Sequence, residues 1–204
     1  LYMVKETFFE LLSTTWPTLV IFLVIVIIMR YFYIRNNGKK FILHEELLLL
    51  LFITYILLLF ELVTSRDVWL SGTNLIPFKE ILRYPVGSTN FYRQVIGNIV
   101  LFIPFGFFAS YYTKTSRLGT IAFITFLVSL TIEVVQKYIG RSFDVDDIIL
   151  NVVGGILGFL IFVALDAIKR KLPKFLQRDG FYNFLSILLV IFVALYLTGI
   201  IKLW

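Results

Sequence analysis

The sequence predicts an all-α integral membrane protein, a polytopic bundle of about six transmembrane helices with an interfacial loop or helix at its outer surface. The 204 residues are 59% hydrophobic with a mean hydropathy of +0.91, above the roughly 45–50% apolar content of soluble domains. Apolar stretches close to the roughly 20 residues that cross a bilayer recur along the chain. Basic residues cluster between alternate stretches, which is typical of cytoplasmic loops.

Six apolar stretches account for the predicted helices. They cover 11–29, 47–63, 95–112, 118–138, 148–165 and 181–201. In the first, Trp16 and Pro17 open a full-length span with no small-residue cleavage pattern, so we expect no cleaved signal peptide. Glu61 interrupts the second stretch, and Glu133 and Lys137 interrupt the fourth. Because charges are costly inside a membrane, ionisable residues in spans are candidates for function.

A long loop, 65–92, follows the second helix. In NLIPFKEILRY, the apolar residues Leu75, Phe78 and Leu82 recur at helical spacing with charged residues elsewhere. This pattern predicts a short amphipathic helix on the outer leaflet, with Trp69 as an interfacial anchor. The sequence leaves open whether the loop is a lid over a polar site or a simple anchor.

The distribution of basic residues predicts the orientation. Eleven of the nineteen Lys and Arg residues follow the first, third and fifth helices: Arg30, Arg35, Lys39, Lys40, Lys114, Arg117, Lys169, Arg170, Lys171, Lys174 and Arg178. The positive-inside rule therefore places both termini and the 140–147 loop of this multi-pass protein outside the cytoplasm. The basic loops would also attract anionic headgroups, so membrane lipids are expected partners. Orientation and lipid contact explain the net charge of +6, and we expect no nucleic-acid binding.

Several kinds of chemistry are not expected from the composition. The chain has no cysteine and one histidine, His44. Disulfides, thiolate catalysis and a zinc site are therefore not expected. We expect no bound metal and no cofactor. Any reaction would depend on carboxylates, amides, hydroxyls or basic groups.

Polar residues gather where helices four and five are joined. Glu133 and Gln136 share one face of helix four. Gly140 suits a left-handed turn that ends this helix, and Asp144 suits the N-cap of the next. We expect one charge-balanced cluster of four residues: Glu133, Arg141, Asp144 and Asp147.

Helix five carries a polar stripe that continues into small residues. Asp144, Asp147 and Asn151 fall at i, i+3 and i+7, and the stripe leads on to Gly154, Gly155 and Gly158. Because small residues in GxxxG spacing allow close helix contact, the stripe is predicted to face the bundle interior.

The two outward-opening hairpins resemble one another weakly. Helix two ends with Glu61 and helix three begins with Asn98, just as helix four ends with Glu133 and helix five begins with Asn151. If this is a parallel repeat, the two Glu and two Asn side chains should converge near the outer surface.

Four motifs together resemble the VanZ-like membrane proteins. They are NLIPF at 74–78, GNIVLFIPFGF at 97–107, IEVVQ at 132–136 and GRSFDVDDIILNVVGGILG at 140–158. The resemblance defines a core of about 61–158 within a single membrane domain, 1–204, and leaves out the first helix, 11–35, and the last, 181–204. It implies Gram-positive cell-envelope biology and reduced susceptibility to teicoplanin, a glycopeptide antibiotic with an acyl chain. It implies no particular reaction.

Three functions are consistent with these features. The first is an outer-face site that binds a lipidated glycopeptide or a lipid-linked cell-wall precursor, and thereby lowers antibiotic susceptibility. The second is an enzyme acting on a lipid-anchored envelope substrate, with Glu133, Asp144 or Asp147 as general base or as ligand to a divalent cation. The third is a transporter or flippase, although its polar groups would belong nearer the midplane. The expected ligand-binding residues are Glu61, Asn74, Asn98, Glu133, Gln136, Arg141, Asp144, Asp147 and Asn151.

Overall fold

The computed structural model describes the backbone of residues 2–64 and 72–197 and the side chains of 15–64 and 72–192. Its long helices are α1 (Tyr2–Asn36), α2 (Leu43–Thr64), α5 (Gly97–Thr113), α6 (Leu118–Tyr138), α7 (Val145–Lys171) and α8 (Asp179–Leu197). The shorter elements are α3 (Lys79–Arg83), α4 (Thr89–Phe91), β1 (Thr73–Asn74) and β2 (Phe143–Asp144). The strands form only a two-residue parallel ladder, so the all-α class is confirmed.

Five helices of the described chain are long and apolar enough to cross a membrane. They are Thr15–Asn36, Leu43–Thr64, Thr89–Thr113, Leu118–Tyr138 and Val145–Lys171. In the first two, only 6% of the most apolar window is buried within the protein, which suits helices that face lipid. The sixth predicted span, 181–201, falls on α8, a shorter apolar helix over the described side chains. The end of that prediction, like Trp69, lies outside the described residues.

The chain divides into two compact units. One is formed by residues 1–58 and 169–204, and the other is Leu59–Ile168. The second unit overlaps the core of about 61–158 that the family motifs define. The single membrane domain over 1–204 stays a prediction.

The first unit is held together by polar contacts at the start of α2. The Arg30 guanidinium pairs with the Glu46 carboxylate through two contacts of 2.7 and 3.1 Å, and so joins α1 to α2. The Asn183 side-chain oxygen accepts the backbone N–H of His44 at 3.0 Å, and so joins α2 to α8. Bidentate pairing favours a fixed geometry for the Arg30 contact.

Glycines set the packing of the second unit. A Cβ at Gly106 of α5 would overlap the carbonyl of Gly155, and a Cβ at Gly158 would overlap the carbonyl of Ile103. Gly155 also faces Thr125 of α6, which is fully buried. Helices α5 and α7 therefore meet at backbone contact, as close packing through small residues requires. The prediction that the glycine stripe faces the protein interior is confirmed.

Helix α5 continues from α4 through a π-helical turn, Tyr92–Ile96. The Ser88 hydroxyl caps the start of this continuous helix by accepting the Phe91 N–H at 3.1 Å. A π-helical turn inserts an extra residue and rotates the side chains that follow, and such turns are frequent at functional sites. The turn ends at Ile96, directly before Gly97 and Asn98, at the rim of the polar site described next.

Candidate functional site

A small polar cavity lies among α2, α5, α6 and α7, within the second unit. Its volume is about 50 Å³. Because one water needs roughly 10–15 Å³ measured in this way, the cavity has room for only a few water-sized groups. It is lined by Leu62, Val63, Gln94, Asn98, Leu101, Phe102, Ile132, Glu133, Gln136, Arg141, Asp147 and Asn151.

Six of the nine predicted ligand-binding residues line this cavity: Asn98, Glu133, Gln136, Arg141, Asp147 and Asn151. The other three, Glu61, Asn74 and Asp144, are not among the lining residues. Of the four residues of the predicted repeat, Asn98, Glu133 and Asn151 line the same cavity. Glu61 does not join them, because Leu62 and Val63 of the same helix end occupy that side of the cavity.

The polar face of α6 is buried. Glu133 is 2% exposed and Gln136 is 6% exposed. One carboxylate oxygen of Glu133 accepts the backbone N–H of Asp144 at 2.8 Å. The Gln136 amide donates to the carbonyl of Val63 at 3.0 Å, and the Arg141 guanidinium donates to the same carbonyl. This carbonyl lies in the last turn of α2, where helix carbonyls lack intrahelical donors, so the two side chains complete that helix end.

Two side chains of α7 reach the cavity from the other side. The Asp147 carboxylate accepts a hydrogen bond from the Asn98 amide at 2.5 Å. This bond joins α5 directly to α7. The Asn151 amide N–H donates to the Ser129 hydroxyl at 2.8 Å, and its oxygen is buried without a hydrogen-bond partner among the described residues.

The turn between α6 and α7 agrees with its sequence. Gly140 has φ +87°, the left-handed conformation expected at the end of α6. The Asp144 carboxylate accepts the Asp146 N–H at 2.9 Å, so Asp144 caps α7 as predicted. It also accepts the Asn74 amide at 2.8 Å, beside the β1–β2 ladder. Asp144 and Asn74 thus hold the 72–88 loop to α7, and their link to the cavity is the bond of the Asp144 N–H to Glu133.

Burial and charge set the ionisation of Asp144. Burial raises the pKa of its carboxyl above the ordinary value, while the N–H of Asp146 and the amide of Asn74 lower it. The neighbouring carboxylates of Asp146 and Glu80 also raise this pKa. Burial is the largest effect, so protonation of Asp144 is favoured relative to an exposed aspartate.

Asp146 has a role that the sequence analysis missed. It is 1% exposed. Its carboxylate accepts the backbone N–H groups of Phe78 at 2.5 Å, Glu80 at 2.7 Å and Ile81 at 3.2 Å. We call these three bonds the Asp146 clamp. The clamp ties the start of α3 to the start of α7, and Phe78, the capping residue of α3, provides no side-chain acceptor of its own.

The predicted amphipathic helix exists only as the five residues of α3. Leu75 is 68% exposed and Leu82 is 81% exposed, as expected for apolar groups available to an interface. Because the Asp146 clamp and the β1–β2 ladder fix this loop at the start of α7, the loop has a defined position beside the site.

The cavity can hold a small group that donates hydrogen bonds or carries positive charge. Its lining includes the Glu133 and Asp147 carboxylates and the Arg141 guanidinium. Of the candidate catalytic residues, Glu133 and Asp147 line it and Asp144 does not. Across the part of the chain that the structure describes, no three His, Cys, Asp or Glu residues form a group that could hold a metal ion. The two carboxylates and the amide oxygens can accept hydrogen bonds from an ammonium or amide group.

Comparisons with known proteins agree with the motifs. The VanZ/LLP1 family model matches residues 46–166, which include every lining residue of the cavity. The protein VanZ of Enterococcus faecium is 32% identical over 117 residues, covering 56% of this chain and 69% of that protein. No solved structure matches the chain. With the family model matching more than half of its residues, this chain belongs to the VanZ/LLP1 family.

Proposed function

We propose that this protein lowers the susceptibility of a Gram-positive cell to lipidated glycopeptide antibiotics such as teicoplanin. It does so through the polar cavity, which binds a lipid-linked or acylated ligand at the outer face of the membrane. Family membership supports the cell-envelope setting. The single observation that carries the site is Glu133, a carboxylate only 2% exposed in a helix long enough to span a membrane.

A buried carboxylate in a span needs a reason, because its burial is unfavourable. One oxygen of Glu133 accepts a backbone N–H, which satisfies only part of its capacity for hydrogen bonds. Around it, the lining adds amides from Asn98, Gln136 and Asn151. A ligand group with N–H donors would be complementary to this arrangement.

The size of the cavity limits what enters it. A volume of about 50 Å³ admits one small polar group and excludes a sugar or a peptide ring. The rest of the ligand therefore stays outside, with its acyl chain in the bilayer. Each buried methylene contributes about 0.8 kcal/mol to membrane partitioning, so an acyl chain concentrates the ligand beside the site. A glycopeptide without such a chain lacks that contribution.

The proposal requires the cavity to face outward. The basic loops after α1, α5 and α7 belong in the cytoplasm by the positive-inside rule, which puts both termini and the 140–147 loop on the outer side. The Asp146 clamp holds the 72–88 loop at the same end of α7 as the cavity. Both therefore belong at the outer interface in this orientation.

Expression of the full chain in a susceptible Gram-positive host tests the proposed function. We expect the minimum inhibitory concentration of teicoplanin to rise more than that of vancomycin, which has no acyl chain, relative to an empty vector. An equal rise for both drugs, or no rise while the protein is present in the membrane fraction, would contradict the proposal.

A further inference from the structure

The cavity contains a buried acceptor that the protein itself does not use. Asn151 is 5% exposed. Its N–H is occupied by the Ser129 hydroxyl, and its oxygen meets no donor among the described residues. Because buried polar groups nearly always have partners, this oxygen indicates a ligand that donates a hydrogen bond.

The charges of the lining residues indicate the sign of the charge on that ligand. Glu133 and Asp147 provide two carboxylates against the one guanidinium of Arg141. When both carboxyls are ionised, which a bound cation favours, the lining carries one excess negative charge. A single positive charge then balances the cavity, and an anion does not.

The remaining lining distinguishes an alkylammonium group from a metal ion. Five of the twelve lining residues are apolar: Leu62, Val63, Leu101, Phe102 and Ile132. Calcium requires six to eight oxygen ligands, and magnesium requires an octahedral set, whereas a primary ammonium has three N–H donors on an apolar stem. The donors suit the Asn151 oxygen and the carboxylates, and the stem suits the apolar side chains.

We propose that this cavity binds the primary ammonium group of an amine-bearing ligand. The identification of that ligand rests on the proposed function, in which the amine belongs to a lipid-linked or acylated molecule. Two kinds of molecule carry such an ammonium group: an aminolipid, in its headgroup, or a free amine-bearing molecule. A quaternary ammonium group is excluded from tight binding, because it has no N–H to donate to Asn151.

Binding is measured on the purified chain of 204 residues in detergent micelles, with hexylammonium as the probe. Isothermal titration gives the affinity, and thermal unfolding reports saturable stabilisation. Two matched probes keep the six-carbon chain: hexyltrimethylammonium has the charge without N–H donors, and hexanoate reverses the charge. We expect hexylammonium alone to bind saturably.

Variants then assign the binding to the cavity. Glu133→Gln and Asn151→Leu should each weaken hexylammonium binding at least about tenfold, because a charged or buried acceptor is lost. The control Asp166→Asn removes a carboxylate about 28 Å along α7 from Asp147 at 1.5 Å per residue. This variant should stay within about threefold of the parent, as expected for a group outside the contact.

Nanodiscs distinguish the two sources of the amine. If phosphatidylethanolamine weakens hexylammonium binding and phosphatidylcholine does not, the natural ligand is an aminolipid. If neither lipid competes while hexylammonium still binds, the ligand is a free amine-bearing molecule.

Two results would overturn the inference: binding of hexanoate or hexyltrimethylammonium as tight as that of hexylammonium, or unchanged hexylammonium binding in folded Glu133→Gln and Asn151→Leu. Either result is separate from the susceptibility assay, because the titration needs no antibiotic. Drug protection that survives the loss of ammonium binding would refute only the ammonium assignment.

Discussion

Replacement of Asp146 by Ala removes the acceptor that holds α3 to the start of α7. The carboxylate accepts three backbone N–H groups, the two shorter bonds coming from Phe78 and Glu80. A hydrogen bond to a charged group contributes roughly 1.5–3 kcal/mol. Because α3 lies at the surface, water replaces part of each bond in the variant. The lower value for the two shorter bonds gives a loss of about 3 kcal/mol in local stability.

Hydrogen exchange of backbone amides measures this loss where it occurs. At 1.4 kcal/mol per factor of ten, a loss of about 3 kcal/mol makes opening of the α3 turn roughly a hundredfold more frequent. Exchange in peptides covering 76–84 should accelerate accordingly in Asp146→Ala, while peptides from α6 keep their protection. The exchange is measured by mass spectrometry on the chain of 204 residues in detergent micelles.

Glu80→Gln is the matched control, since it removes a carboxylate from the same turn. Glu80 pairs with Arg83 at 3.0 Å, and the Arg83 side chain is 67% exposed. Such a pair is worth less than about 0.5 kcal/mol, so exchange should change no more than about twofold. If Asp146→Ala accelerates exchange no more than Glu80→Gln does, the reasoning behind the Asp146 clamp is refuted.

Three further predictions concern packing, pH and orientation. Gly158→Ala should lower stability by about 1–3 kcal/mol in thermal unfolding, because the added Cβ would meet backbone atoms of α5. Gly119→Ala is the control and should be neutral, because a Cβ there has nothing within 4 Å. Equal effects of the two changes would contradict close packing of α5 and α7. The raised pKa of Asp144 means that the folded state binds the proton of this carboxyl more tightly than the unfolded state does, so wild-type stability should fall as the pH rises from the unfolded pKa through the folded one. Asp144→Asn should flatten this pH dependence of the melting temperature. An unchanged dependence would show that Asp144 is not its source. A membrane-impermeant maleimide should label Ser142→Cys in intact cells and Lys174→Cys only after permeabilisation. Both positions are exposed, and the chain has no native cysteine. The opposite labelling pattern would mean that the orientation is inverted.

The helices could be predicted because lipid leaves a chain few alternatives to helix. The fourth stretch, 118–138, coincides with α6, and the placement of Glu133 and Gln136 on one face follows from helical periodicity alone. The glycine stripe of α7 was likewise readable, since a run of small residues serves close packing.

The contacts between distant segments could not be predicted. The pairing of Asn74 with Asp144 depends on a parallel ladder between two loops 70 residues apart, and no local pattern encodes it. Asp146 is one residue from Asp147, but a step of 100° around the helix turns it from the cavity toward α3. One signal was available: the Phe78 side chain cannot cap α3, so the N–H groups at the start of α3 need an acceptor from another segment.

The weak repeat grouped Glu61 with Glu133, but Glu61 does not line the cavity. The repeat was defined by sequence position, and it carries no information on how α2 is rotated about its axis. The structure turns Leu62 and Val63 of that helix toward the cavity. Burial in three dimensions therefore separates Glu133 from Glu61, although their sequence surroundings are alike.

The central claim is that protection against an acylated glycopeptide depends on the polar cavity. It is tested most directly by the teicoplanin-to-vancomycin susceptibility ratio in cells that express Glu133→Gln, compared with Asp166→Asn at equal membrane levels. Both changes neutralise one carboxylate on a long helix, but only Glu133 lines the cavity. We predict that Glu133→Gln returns the ratio to the empty-vector value and that Asp166→Asn keeps the parent ratio. Full selective protection by Glu133→Gln would contradict the claim.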